Sequence, residues 1–184
     1  DGSRDGFTID PFFIDRVELI LGSNALQGIG ATGGVINQVT VSAQAEDGWS
    51  ARTILQGTAE NGWRSDGFGS KVGALIANRS GAFDIVVGAA LERRGVFRDA
   101  LSRRIAPDGT QGDLMDSRSF SLFAKAGVAV ADGIRLELMG QRFDLEGDGD
   151  LLPVNGDRLT GQPSTGIEGV VPGDGAVVVE RDHR

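Results

Sequence analysis

Four carboxylates recur at every second position near the end of the chain: Asp144, Glu146, Asp148 and Asp150, with Gly147 and Gly149 between them. That spacing opens a Ca²⁺-binding loop, in which alternating oxygen ligands precede a glycine and a bidentate Glu closes the shell. Asn155 stands where the closing Glu is required, and the flanks read as strand and loop, so the run reads as a solvated acidic loop. A second pattern, Gly28-Ile29-Gly30-Ala31-Thr32-Gly33, fits the dinucleotide fingerprint G-x-G-x-x-G. The fingerprint works only where a helix starts at the glycines, so that its N-terminus meets the pyrophosphate. Here the β-branched run Val35-Ile36-Asn37-Gln38-Val39-Thr40-Val41 comes next instead, which is strand chemistry. His183 is the single histidine, so neither a Ser-His-Asp triad nor a two-His metal site can be built. The carboxylates offer no obvious acid/base pair. The sequence predicts no enzyme, no cofactor and no dedicated metal site.

Composition narrows the class further. The 184 residues carry a net charge of −8, which disfavours a nucleic-acid partner, because phosphate binding relies on clustered Lys and Arg. There is no cysteine, hence no disulfide scaffold and no thiolate metal site, as suits an exported protein. The opening DGSRDGFTID has neither the basic region nor the apolar core of a signal peptide. No helical transmembrane span is legible. Leu21 to Ala45 is uncharged but broken by glycines, amides and hydroxyls. Without such a helix, only a closed β-barrel crosses a bilayer, because it satisfies every backbone group.

The elements that would position these residues have a period of two. Val17, Leu19 and Leu21 alternate into a partly buried strand, then a Gly-rich turn leads to a second strand at residues 35–41. Ser42 to Gly48 is polar and reads as a flexible boundary. Five longer alternating segments come after it, each long enough to cross a bilayer as a tilted strand of roughly 9–11 residues. Their apolar faces hold Trp49, Ala51, Thr53 and Leu55; Phe68, Val72, Ala74 and Ile76; Phe83, Ile85, Val87, Ala89 and Leu91; Phe120 to Val130 at even positions; and Ile134, Leu136 and Leu138. The opposite faces hold Arg52, Lys71, Asp84, Glu92, Lys125, Arg135 and Glu137 among others. Tight turns at Ser80-Gly81 and Asp132-Gly133 alternate with longer connections at 61–66, 99–116 and from 147 onward, with Ala176 to Val179 starting a sixth strand. A transmembrane barrel segregates short turns and long loops in this way. Aromatics near the strand ends (Trp49, Phe68, Phe83, Phe97, Phe120, Phe143) then form interfacial girdles or fill a core.

Three short motifs fall in order through residues 14–40: Ile14-Asp15-Arg16-Val17-Glu18, Asn24-Ala25-Leu26-Gln27-Gly28, and Gly33-Gly34-Val35-Ile36-Asn37 with Val39-Thr40. The stretch resembles the end of the plug domain of TonB-dependent outer-membrane receptors. Leu21 and Ser23 depart from that pattern, at positions where the family often has Arg and Pro. The resemblance implies an all-β fold: a partial transmembrane antiparallel β-barrel, a meander of long strands, preceded by the C-terminal part of a plug domain. Residues 1–45 would be plug, and 46–184 the first five or six strands with their outer loops. These residues would belong to a longer receptor, since such transporters close about 22 strands around a plugged lumen. Apolar positions would face lipid and charged ones the lumen, with the plug segment against the polar face of an open, curved sheet.

The implied function is import of a scarce nutrient, such as a ferric siderophore, cobalamin or a glycan, across the bacterial outer membrane. The partners would be a TonB-type energy-coupling protein, outer-membrane lipid, and a small nutrient ligand such as a metal chelate. Arg16 and Glu18 would hold plug to barrel. On the outer loops, Trp63, Arg64, Arg103 and Arg104 would contact an anionic ligand. Solvated charge is the plain alternative at each of these positions. A rival function is a soluble or surface-exposed β-sheet binding or adhesion module, which requires the apolar faces to meet a second sheet.

Overall fold

The computed structural model describes residues 9–22, 34–60, 62–106, 115–147, 151–168 and 180–181. A 3₁₀ turn, Pro11–Phe13, leads into β1 (Ile14–Leu21) and β2 (Gly34–Thr40). Five long strands come next: β3 (Gly48–Thr58), β4 (Gly69–Ser80), β5 (Phe83–Arg94), β6 (Ser117–Ala131) and β7 (Ile134–Gly147). Two short strands, β8 (Leu151–Val154) and β9 (Thr165–Glu168), make a hairpin, and β10 (Glu180–Arg181) returns to β7. The main sheet has the order β10-β7-β6-β5-β4-β3, every neighbouring pair antiparallel. It is an open meander, and the described strands close no barrel. Among the described residues no helix is long and apolar enough to cross a membrane, which bears only on helices.

Strand parity sorts the side chains as the alternation predicts. On β4, Gly69, Lys71, Gly73, Leu75 and Ala77 are buried while Ser70, Val72, Ala74 and Ile76 are exposed. On β5, Asp84, Val86, Gly88 and Ala90 are buried while Phe83, Val87 and Leu91 are exposed. On β6, Ser119, Ser121, Phe123 and Lys125 are buried, with Leu122 and Val130 on the opposite side. The ladder places these rows side by side, for example Val72 with Leu91 and Leu91 with Phe120. The outward face is therefore a continuous apolar surface, with Leu55 89% and Leu138 77% exposed. No second sheet covers it among the described residues, as an adhesion-type sandwich would require. Phe143 sits in register with Ser121 on the inward face, so it departs from the predicted girdle.

The turns explain the register. Gly81 (φ 57°) and Gly133 (φ 73°) take the left-handed conformation that a tight hairpin demands and a Cβ disfavours. Asp47 Oδ1 accepts the Gly81 amide at 3.0 Å, which ties the start of β3 to the β4–β5 turn. Short turns occupy this rim, and β3, β5 and β7 run out at the other, where the longer connections begin. The loop after β7 contains the β8–β9 hairpin, which alternation does not predict because Pro153 interrupts the strand signal. Asp144 and Glu146 lie within β7, not in an acidic loop as the sequence suggests. Val177 to Val179 and the glycines at 28–33 lie outside the described residues. The first described element after those glycines is β2, a strand.

The core forms between the inward face and the N-terminal segment. Phe12, Phe13, Val41 and Ala43 pack on Leu75, Ala77, Val86, Ala90 and Phe123, with Ile9 and Ile54 at the margin. Phe13 stacks on Phe123 with centroids 5.2 Å apart and planes 13° from parallel. Gly88 makes room for it: a Cβ there would sit 2.7 Å from Phe13 Cε1. The inward face is thus mixed, carrying an apolar strip among its charges, and not simply polar. The boundary at 42–48 is pinned rather than loose, since Ala43 is buried and Asp47 caps a turn. By contrast, Val17, Leu19, Leu21 and Ile36 share an exposed face of the β1–β2 hairpin. The predicted partial burial of that face is not observed, because docking runs through the residues on either side of the hairpin.

Truncating the stacked ring tests this packing. Phe13→Ala should cost about 3–5 kcal/mol, the range for a buried Phe. The Val41 amide, which donates to the Phe13 carbonyl at 2.9 Å, should then exchange faster with solvent in the intact protein. Unchanged exchange at Val41 would refute the docking role.

Candidate functional site

Two polar constellations stand out. The first joins the N-terminal segment to the sheet. Asp10 is 2% exposed, and its carboxylate accepts from Lys71 Nζ at 2.7 and 2.9 Å. The same carboxylate caps the 3₁₀ turn by accepting the Phe12 amide at 2.8 Å. Lys71 also donates to Glu92 at 3.2 Å, and Glu92 in turn accepts from Arg94 Nε at 2.9 Å. One ammonium therefore serves two carboxylates at the edge of the apolar core. Further along the same face, Lys125 donates to Ser42 Oγ at 3.0 Å and to Thr40 Oγ1 at 3.3 Å, and pairs with Glu137 at 3.2 Å. A buried charge is tolerable only when paired and hydrogen-bonded, and each of these lysines is.

The second constellation lies at the rim of long connections. Arg64, Ser65, Asp66, Arg98 and Arg104 line a shallow open recess of about 430 Å³. Asp66 Oδ2 accepts from Arg98 Nη2 at 2.5 Å and from Arg104 Nη2 at 3.0 Å. Burial alone would push the Asp66 carboxyl up, but the hydrogen bonds and charges of Arg104 and Arg98 outweigh it and hold the group below its ordinary value. The Arg98 side chain is 6% exposed, and its Nε is buried without a partner among the described residues. Glu60 accepts the amides of Gly62 and Arg64 at 2.5 and 2.7 Å and shapes the loop beside the recess. Among the described residues three guanidiniums thus stand with the carboxylates of Asp66 and nearby Glu60, an excess of positive charge that suits an anion.

The residues singled out in the sequence fall in different places. Arg64 and Arg104 meet in the recess. Trp63 is 74% exposed beside it, with φ 53°, and packs on Phe68 at 6.0 Å. Arg103 turns away into its own loop, pairing with Asp99 at 2.7 Å. The Arg103 and Leu101 amides and the Arg103 guanidinium hold the Asp99 carboxyl below its usual range, the Arg103 amide contributing most. Arg98 is not legible as a site residue in the sequence, since it lies in a loop without periodicity. Arg16 pairs with Asp15 at 3.2 Å and with Glu18 at 2.8 Å, all on the exposed hairpin. Glu18 also accepts from Asn37 at 2.9 Å. The segment-to-sheet contact that the structure shows is made by Asp10, Lys71 and Lys125, which sequence pattern does not reveal. In the acidic run, Asp144 pairs with Arg142 and Glu146 with Arg118, each at 2.7 Å. No cluster with metal-ligand composition occurs among the described residues.

Known proteins supply the context. The chain is 33% identical over 149 residues to the rhizobactin receptor of Rhizobium meliloti (strain 1021), which is 80% of this chain and 20% of that protein. It is 28% identical over 151 residues to the ferric aerobactin receptor of Klebsiella pneumoniae, and 26% over 148 residues to that of Escherichia coli, with the same coverage of each. The chain belongs to the TonB-dependent outer-membrane receptors. It spans about a fifth of the length of the curated relatives it matches. No protein-family model and no solved structure matches it. These relatives are receptors rather than enzymes, and the compartment is the bacterial outer membrane. Transmembrane barrels put short turns in the periplasm and longer loops outside.

Two tests address the receptor's charged contacts. Lys71→Met would leave the buried Asp10 carboxylate without a cation and Glu92 with Arg94 alone, at a cost of about 3–5 kcal/mol in unfolding free energy of the receptor. Asp10→Asn should cost distinctly less, because Lys71 keeps Glu92. Equal losses in denaturant titration would contradict the shared-ammonium geometry. The Asp66 clamp should be pH-dependent. A depressed carboxyl pKa contributes stability above the unfolded value, near 3.9, and loses it as pH falls through the folded value. Amide protection at residues 96–105, taken relative to the intrinsic exchange rate at each pH, should therefore be flat from neutral pH to the ordinary carboxylate range and should fall sharply below it. Asp66→Asn should show the lowered protection already at pH 7.

Proposed function

We propose that the receptor containing these residues imports a ferric siderophore across the outer membrane, with an anionic chelate contacting the arginine recess at the outer rim. The observation that carries this reading is the gathering of Arg64, Arg98 and Arg104 around one recess, in which Arg98 and Arg104 grip Asp66. The named relatives include a ferric aerobactin receptor and a rhizobactin receptor, which favours an iron chelate over cobalamin. Arg98 positions the site by gripping Asp66, while Arg64, exposed and without an ion pair among the described residues, is available to ligand. Trp63 offers an apolar face beside it. Arg103 would join only if its Asp99 pair opened. A TonB-type energy-coupling protein is the partner this function requires. Residues 1–45 act as plug and 46–184 as wall and outer loops. Arg16 and Glu18, presented on the exposed hairpin, would hold the plug to wall strands other than β3–β7.

Binding of ferric aerobactin and of ferric rhizobactin to the intact receptor tests the reading. Arg64→Ala should weaken binding roughly tenfold, the scale of one charge-assisted contact, while Arg103→Ala should change it little. Equal affinity of Arg64→Ala and the wild type would remove the recess from the ligand path. No binding of any ferric siderophore by wild-type receptor would overturn the function.

A further inference from the structure

Arg104 is held from two sides by stretches of chain far apart in sequence. Its guanidinium donates to Asp66 Oδ2 from Nη2 at 3.0 Å and from Nε at 3.2 Å. Its main-chain carbonyl accepts from Thr165 Oγ1 at 2.8 Å and from the Gly166 amide at 3.4 Å. Asp66 lies between β3 and β4, Arg104 between β5 and β6, and Thr165 and Gly166 in β9, beyond β7. Three connections thus meet at one arginine. The local backbone explains why its carbonyl is open to β9. Arg98 and Arg104 form an antiparallel bridge, and the ladder bonds run on either side of it, from the Asp99 amide to the Arg103 carbonyl and from the Ile105 amide to the Phe97 carbonyl, each at 2.9 Å. Residues 98 and 104 are therefore a non-hydrogen-bonded pair, whose own carbonyls point away from each other. β9 meets the Arg104 carbonyl on that far side, where Gly166 is buried, and Thr165 is itself in register with Val154 of β8.

A carbonyl held at this point restricts ψ of Arg104, and a long side chain turns any backbone rotation into a large displacement of its guanidinium. A binding group keeps its geometry only when the residues behind it are themselves fixed. We propose that the β8–β9 hairpin is the positioning element of the arginine recess: Thr165 holds Arg104 by its carbonyl, so that the guanidinium stays over the recess for an anionic ligand. Thr165 acts through Arg104 and does not touch the ligand. The proposal rests on the siderophore reading given above, but the mechanical link from Asp66 through Arg104 to β9 does not. Because ligand and hairpin both act on Arg104, each steadies the other, and the coupling is reciprocal. Occupation of the recess should therefore tighten the hairpin contact.

The test has two arms, both on the intact receptor. The first needs no ligand and reads the protection of the Gly166 amide relative to its intrinsic exchange rate. Asp66→Asn should lower that protection, because it loosens Arg104 from the other side. Arg64→Ala, which removes a recess cation that does not hold Arg104, should leave it as in the wild type. Unchanged protection in Asp66→Asn would overturn the link. The second arm titrates ferric aerobactin. Thr165→Val, which removes the hydroxyl and keeps the shape, should weaken binding roughly threefold to tenfold, the scale of one hydrogen bond. Thr165→Ser should bind as the wild type does. In an Arg104→Ala background Thr165→Val should cost nothing further, since the group it positions is gone. An equal loss in both backgrounds, or no loss in either, would overturn the positioning role. No siderophore binding by the wild type, with the Asp66→Asn effect at Gly166 present, would overturn the function and leave the hairpin link standing.

Discussion

In hydrocarbon no water satisfies a backbone amide, so a chain that crosses a bilayer with strands must bond every one of them to a neighbouring strand. The long antiparallel ladder from β3 to β7 is the consequence of that demand. It also explains the turns. A strand pair joined without slack needs a left-handed residue in the reversal, and glycine stands there at 81 and 133. Among the described residues β3 ends the sheet, and in a membrane its outer row of donors and acceptors calls for a further strand. The outward apolar surface is the second half of the constraint. In water such a surface would aggregate, and in lipid it is simply wetted by hydrocarbon.

Because the outward face is given over to lipid, all cohesion beyond the ladder must come from the inward face. Among the described residues that face meets a segment and not a second sheet, which is why the core is narrow, a strip across the middle of β4, β5 and β6. Phe13 and Phe123 supply the contact area, Gly88 supplies the space, and Asp10 fixes the approach. Asp10 serves twice, as turn cap and as partner of Lys71, so local conformation and long-range docking depend on the same carboxylate. Pairing of this kind is costly to break from the lysine side and cheaper from the aspartate side, since Glu92 remains. The interface can therefore be firm at one end and adjustable at the other. The β1–β2 hairpin leaves its own apolar face outside this contact.

The alternation of β3 to β7 is legible in the sequence because its cause is local. Successive residues point to opposite sides, and lipid and lumen ask for opposite chemistry. The plug-like motif in residues 14–40 is legible for a different reason, the order and spacing of three short patterns. Everything whose partner lies far along the chain escapes such reading. Residues 9–13 look like a polar lead with two aromatics, and nothing near them announces Lys71 or Phe123. Val86 and Ala90 look like interruptions among the polar positions of β5, yet they are the floor on which Phe13 rests. Arg98 sits in a loop where no period marks it, and only the folded structure brings it to Asp66. The β8–β9 hairpin is hidden by its proline. Arg16 and Glu18 carry the family pattern, but in these residues their charges are spent on one another.

Parity also separates the arginines into three different jobs that composition cannot distinguish. Arg93 and Arg94 are adjacent in sequence. Arg93 points to lipid, and Arg94 points inward, where Glu92 accepts from it at 2.9 Å. Four residues later Arg98 has left the strand and grips Asp66 at the loop recess. An inward arginine acts within a charge network that holds the wall and plug together, and there its worth depends on burial. A recess arginine sets the sign of the field that an incoming ligand meets, and there its worth depends on partial neutralisation. An outward arginine such as Arg118 holds an exposed neighbour on the same face, Glu146, and there its worth is small. A one-residue slip of β5 would exchange the first job for the third, placing a bare cation in the core and the acid Glu92 in the membrane. The cost of that slip is what fixes the register of this strand.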